Sequence, residues 1–181
     1  MMMKEAQSNV FLFYYVIIVV VIYMYNILFI CYGNICRSPM AMMIFKDLIY
    51  KNNKKYMFNV TSRATSVEEL GNGLYYEALN VLEKNNVTIE SHKAMQVKKE
   101  DYNKYDYIIC MEESNRKSLL YIFDGDKENK IHLLGEYTDN IGEIDDPWYT
   151  REFDRCFTEI QEGCIGLFNY LVKLGEIENE I

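Results

Sequence analysis

Residues 26–30, "NILFI", form a short run that is apolar after its first residue, and "CYGNICRSPM" follows at once. A short apolar run bounded by turn residues reads as a strand buried on both faces. Helical spacing starts directly after the turn. In "PMAMMIFKDLIYKNN", Met40, Met43, Ile44, Leu48 and Ile49 fall on one helical face. Pro39 suits a first helical turn, and Ser38 before it suits a cap. A fully buried strand that feeds a helix belongs to a parallel sheet with helical crossovers.

The alternation continues along the chain. "YMFNV" (56–60) reads as a second strand with Tyr56, Phe58 and Val60 on one side. "GLYYEALNVLEKNN" reads as a helix with Ala78, Leu79 and Leu82 inward, ended by Asn85 and Asn86. "YDYIICM" is a third strand, "EESNRKSLLYIF" a helix and "KIHLL" a fourth strand. A loop from Gly135 to Asp146 precedes a last helix, roughly Phe153 to Leu174, with Phe157, Ile160, Cys164, Phe168 and Leu171 at helical spacing. The expected fold is α/β in three layers, with a four-stranded parallel sheet between helices. Ligands in such sheets bind beyond the carboxyl ends of the strands, where Cys31 stands.

Composition narrows the chemistry. A net charge of −8 argues against non-specific grip on nucleic acid, which needs clustered Lys and Arg. Five cysteines, an odd number without framework spacing, read as reduced thiols in a cytosolic compartment. His92 and His132 are far apart, and Cys31 with Cys36 lacks a second cysteine pair, so no metal site is expected.

The N-terminus stands apart. Residues 10–30, "VFLFYYVIIVVVIYMYNILFI", are nearly all apolar and long enough to span a bilayer. No small-residue cleavage site follows, so a retained anchor fits better than a removed signal. Arg37, Lys46, Lys51, Lys54 and Lys55 come after it, which by the positive-inside tendency leaves the following domain cytoplasmic. Two other readings stand beside the anchor. Residues 1–25 are an extension the domain does not need, its Val and Ile suiting strands as well as helices, or they are a gene-model artefact. Under the anchor reading, membrane association runs through residues 10–25.

The turn "CYGNICRS" carries the chemistry. A loop entering a helix N-terminus aims successive backbone N–H groups into one concavity, a nest for a phosphate dianion. Gly33 permits close approach or positive φ, and Asn34 tolerates the left-handed region while bracing the loop. Arg37 presents a planar fork to two phosphate oxygens. The same positive field favours the thiolate of Cys31, which becomes a nucleophile toward a bound phosphoryl group. Ser38 can donate to the sulfur when it becomes the leaving group. The leaving oxygen needs a proton, and the candidate lies in "EIDDPWYT". Asp146 is held extended by Pro147, and Trp148 and Tyr149 offer flat walls to an aromatic leaving group. Asp145 is an alternative acid, and adjacent carboxylates raise one another's proton affinity. The chain's two prolines, Pro39 and Pro147, both adjoin these stretches.

"CYGNICRSP" resembles the signature of the low-molecular-weight protein tyrosine phosphatases, and "DDPWY" resembles their acid loop. "VTSRATS" (60–66), "SHKAMQV" (91–97), "DYIICMEESN" (106–115) and "IHLLGEY" (131–137) follow the family in order, so the resemblance covers roughly residues 26–181. It implies metal-free, cofactor-free hydrolysis of phosphotyrosine in proteins, or of small aryl phosphates, through a cysteinyl phosphate. Carried onto this chain, Cys31 is the nucleophile, Arg37 binds the phosphoryl group, and Asp146 is acid and then base. Tyr32, Gly33, Asn34, Ile35, Cys36 and Ser38 make the phosphate loop, supported by Ser62 and His92. Cys36 matches a cysteine that pairs with the nucleophile on oxidation. Tyr32, Trp148 and Tyr149 line the substrate cleft.

The chain departs from the family at Tyr32, where a smaller residue is usual, at Glu112, where aspartate is common, and in "EELGNG" beside the cleft. Two rival functions remain at this stage. An arsenate reductase of the same fold needs two further shuttling cysteines in a mobile segment. A noncatalytic, membrane-tethered phosphoprotein-binding module would keep the nest without turnover. Cys110, Cys156 and Cys164 read as packed core thiols.

Overall fold

The structure, a computed structural model, describes residues 24–178. β1 (Tyr25–Cys31) leads through the loop into α1 (Arg37–Lys51), followed by β2 (Phe58–Ala64), α2 (Tyr76–Lys84) and β3 (Tyr107–Cys110). Then come α3 (Glu113–Ile122), β4 (Ile131–Leu133), the short α4 (Pro147–Thr150) and α5 (Phe153–Glu178). The strands pair in the order β2-β1-β3-β4, all parallel, which is the expected three-layer α/β sheet. The stretch 10–23 lies outside the described residues. Among the described residues no helix is long and apolar enough to cross a membrane.

β1 is central and buried on both faces. Its alternation sends Ile27, Phe29 and Cys31 into the larger core, shared with side chains of α1, α2 and α5. Leu28 and Ile30 enter a smaller core with Leu119 of α3. Each such aliphatic side chain contributes roughly 1.5–3 kcal/mol on burial. Phe45 of α1 joins the layers, with ring centroids 5.7 Å from Phe29, 5.5 Å from Phe58 and 6.1 Å from Phe168 of α5. Glycine lets α5 come close: a Cβ on Gly166 would lie 1.9 Å from the Tyr137 carbonyl oxygen. β1 pairs with β2 on one side and β3 on the other, so the chain reverses its winding at β1. The crevice this opens lies at the carboxyl end of β1, beside Cys31.

Several local expectations shift. β1 starts at Tyr25 rather than Asn26, and Tyr25 is buried. The second strand begins at Phe58, where it pairs with Tyr25, and runs on through the polar residues to Ala64. Tyr56 falls in a 3-10 turn (Lys55–Met57) and is 64% exposed, so it does not share a buried side with Phe58 and Val60. In α2, Val81 joins Ala78 and Leu82 in the core, while Leu79 is only half-buried. Ser38 is not a cap: α1 starts at Arg37, no side chain caps it, and the Ser38 hydroxyl turns to Cys31.

Candidate active site

The loop from Cys31 to Cys36 is held from outside by main-chain bonds. Thr65 N–H donates to the Cys31 carbonyl (3.0 Å), Ser66 N–H to Tyr32 (3.0 Å) and Tyr75 N–H to Ile35 (2.9 Å). Asn34 takes the left-handed conformation, with φ 57°, and Gly33 does not. Gly33 instead permits close approach, since a Cβ there would meet Glu69 Cγ at 3.2 Å.

Asn34 is fully buried and organises the loop interior. Its Nδ2 donates to Ser38 Oγ (2.8 Å) and Ser62 Oγ (2.9 Å), and its Oδ1 accepts from Met95 N–H (3.1 Å). Its own N–H donates to Cys31 Sγ at 3.2 Å, and Ser38 Oγ lies 3.0 Å from the same sulfur. His92 Nε2 donates to the Asn34 carbonyl oxygen at 2.7 Å. Burial holds the His92 imidazole below its usual pKa against the pull of that bond, and Arg63 adds to the lowering. Ser62 and His92 therefore touch the loop through Asn34 and do not line the cleft.

Arg37 is 1% exposed. Its Nη1 donates to the Ile144 carbonyl oxygen (3.1 Å), and its Nη2 to Glu112 Oε1 (3.2 Å) and Asp146 Oδ2 (2.5 Å). Burial disfavours the charged guanidinium, but Cys31, Asp146 and Glu112 outweigh it and hold the pKa above its usual value. Asp146 Oδ1 accepts from Trp148 N–H at 3.1 Å and so caps α4. Asp145 does not share this position. Its exposed carboxylate faces Arg155 at 3.7 Å, because successive residues of an extended segment project to opposite sides.

These groups open on a small cleft of about 130 Å³. Cys31, Gly33, Ile35, Cys36 and Arg37 line its base, with Asp146 at its mouth. Tyr32, Trp148 and Tyr149 line its sides, and Tyr149 is 81% exposed. Burial pushes the neighbouring Cys36 thiol well up, with Cys31 and Asp146 adding to it. Among the described residues no carboxylate, thiol and imidazole cluster could hold a metal ion.

The sequence profile described as low molecular weight phosphotyrosine protein phosphatase matches residues 26–177. The chain belongs to that family. It is 38% identical over 143 residues to the low molecular weight phosphotyrosine protein phosphatase of Gallus gallus, spanning 77% of this chain and 89% of that one. Over 152 residues it is 32% identical to the low molecular weight protein-tyrosine-phosphatase YfkJ of Bacillus subtilis, 83% of this chain and 97% of the relative. The crystal structure of YfkJ superimposes with a TM-score of 0.80 at 31% identity, covering 83% of this chain and 96% of that one. That of the low molecular weight protein tyrosine phosphatase from Streptococcus pyogenes gives 0.73 at 32% identity, covering 82% and 93%.

This family member is a protein tyrosine phosphatase, and neither rival function is favoured. Cys110, Cys156 and Cys164 are buried in β3 and α5, which leaves them no route as shuttling thiols. Glu68 and Glu69 of "EELGNG" border the cleft, as the resemblance implies. Two further site contacts escape a reading of the sequence alone: Glu112 bonds Arg37, and Tyr75 bonds the loop. Glu112 carries one sequence signal, as a departure from the family pattern, and Tyr75 carries none.

Proposed function

We propose that Cys31 attacks the phosphorus of an aryl phosphate while Asp146 protonates the departing phenolic oxygen. The P–O bond to the phenol breaks as the S–P bond forms. In the second half, Asp146 takes a proton from water, whose oxygen displaces the sulfur and releases inorganic phosphate. Arg37 and the loop N–H groups receive the phosphoryl oxygens. Ser38 Oγ accepts from Asn34, and its proton can turn from the Arg63 carbonyl oxygen (3.4 Å) to Cys31 Sγ (3.0 Å) as the thiolate departs. The observation that carries this reading is the reach of Arg37. One buried guanidinium follows the loop of Cys31 directly and touches Asp146, and Cys31, Arg37 and Asp146 line one cleft.

The substrates proposed are phosphotyrosine-containing proteins or small aryl phosphates. The aromatic walls Tyr32, Trp148 and Tyr149 and the phosphotyrosine phosphatases among the relatives support this. The test is turnover of p-nitrophenyl phosphate with vanadate as inhibitor. Cys31→Ser is expected to abolish turnover and keep phosphate binding. Retained turnover in that variant overturns the assignment.

A further inference from the structure

α4 has four residues, too few to hold a helix by itself, yet it carries Asp146 as its cap. Its position must be set from outside. The residue that ends it, Arg151, is non-glycine with φ 61°, a conformation kept only where surroundings impose it. Those surroundings are visible. Arg151 Nη2 meets Glu77 Oε2 of α2 at 2.6 Å. Its guanidinium carbon lies 5.9 Å from the Tyr75 ring centroid and 5.8 Å from that of Phe153. Tyr75 is itself fixed to both parts of the site, donating its N–H to the Ile35 carbonyl at 2.9 Å and meeting the Trp148 ring at 5.0 Å.

We infer that Arg151 is a positioning residue: seated against Tyr75, Glu77 and Phe153, it fixes α4 and thereby aims Asp146 at the bound phosphate ester. The inference rests on the reading of Asp146 as the proton donor. Arg151 does not line the cleft. It joins the acid loop, through Tyr75, to the same phosphate loop that holds Cys31. A misplaced acid penalises poor leaving groups most, because good ones depart with little protonation.

The experiment measures kcat/KM over aryl phosphates of graded phenol acidity. The test variant is Arg151→Asn, since asparagine already occupies left-handed positions at Asn34, Asn53, Asn86 and Asn129 of this chain. The clamp is half-exposed, so its loss is expected to cost roughly 3–10-fold on the poorest leaving groups and under about twofold on the best. Arg151→Lys, which keeps the charge, is expected to fall between wild type and Arg151→Asn. Lys84→Ala removes the neighbouring ion pair Lys84–Asp154, which joins α2 to α5, and is expected to leave the leaving-group dependence unchanged. Adding Arg151→Asn to Asp146→Asn is expected to change nothing further, as the two act through one group. An equal loss on all substrates, or the same loss without the Asp146 carboxylate, overturns the inference. A flat leaving-group dependence in Asp146→Asn removes the acid reading, and the clamp with it.

Discussion

The carboxylate of Asp146 lies 2.5 Å from the guanidinium of Arg37, on the same nitrogen that donates to Glu112. In the proposed mechanism this guanidinium receives a phosphate dianion, and it is already engaged by two carboxylates. An incoming oxyanion would compete with both for the guanidinium, and be repelled by both while they stay charged. On that reading Asp146 serves turnover and opposes binding.

The variant Asp146→Ala separates those effects. It is expected to slow kcat/KM on poor aryl leaving groups by ~10²–10⁴-fold, and to tighten inorganic phosphate or vanadate binding by roughly 2–10-fold. Calorimetric titration measures the second. Unchanged or weaker oxyanion affinity shows that the Arg37–Asp146 pair is no barrier to binding.

Asn34 tests the loop interior. Asn34→Ala leaves Ser38, Ser62 and Met95 N–H without their shared partner and puts at φ 57° a residue that tolerates the left-handed region less well than asparagine. The expected loss is about 2–4 kcal/mol in urea denaturation, with a fall in kcat as the Ser38 hydroxyl loses its orientation. Asn34→Gly relieves the backbone part, so the difference between the variants isolates it. A variant as stable as wild type means that the loop holds its shape without this side chain.

His92 gives the fold a pH dependence of defined sign. Its pKa in the folded chain lies below the ordinary 6.5, so folding favours the neutral ring. The stability it contributes is complete above pH 6.5 and is lost as pH falls below that value toward the folded pKa. Urea midpoints recorded from pH 7.5 down to 5.5 should decline in wild type and decline less in His92→Gln, which keeps an N–H donor. Identical slopes for the two proteins would exclude His92 as the source.

The residues that could be read from the chain are those whose job is set by near neighbours. The strand ending at Cys31, the helix starting beside Arg37 and the turn between them follow from a short apolar run, a Gly-Asn pair and helical spacing. Asp146 before Pro147 is likewise a local pattern. Ser38 shows where local reasoning fails. Its place before Pro39 suggests a cap, but Cys31 and Asn34 in the folded loop offer its hydroxyl better partners. Tyr56 fails similarly, because β2 takes its start from pairing with Tyr25 and not from its own alternation.

The amino-acid order alone determined the alternation of strand and helix, the oxyanion loop and which residues could be nucleophile, anion receptor and acid, since periodicity and turn chemistry act over a few residues. Only the tertiary structure decided that Arg37 meets Glu112 and Asp146, that Asp145 turns away, and that Arg151 clamps α4 against Tyr75 and Glu77. The contacts of Arg37 and Arg151 join residues 74 to 109 positions apart, and such pairings exist only once strand order and helix packing bring distant segments to one end of the sheet.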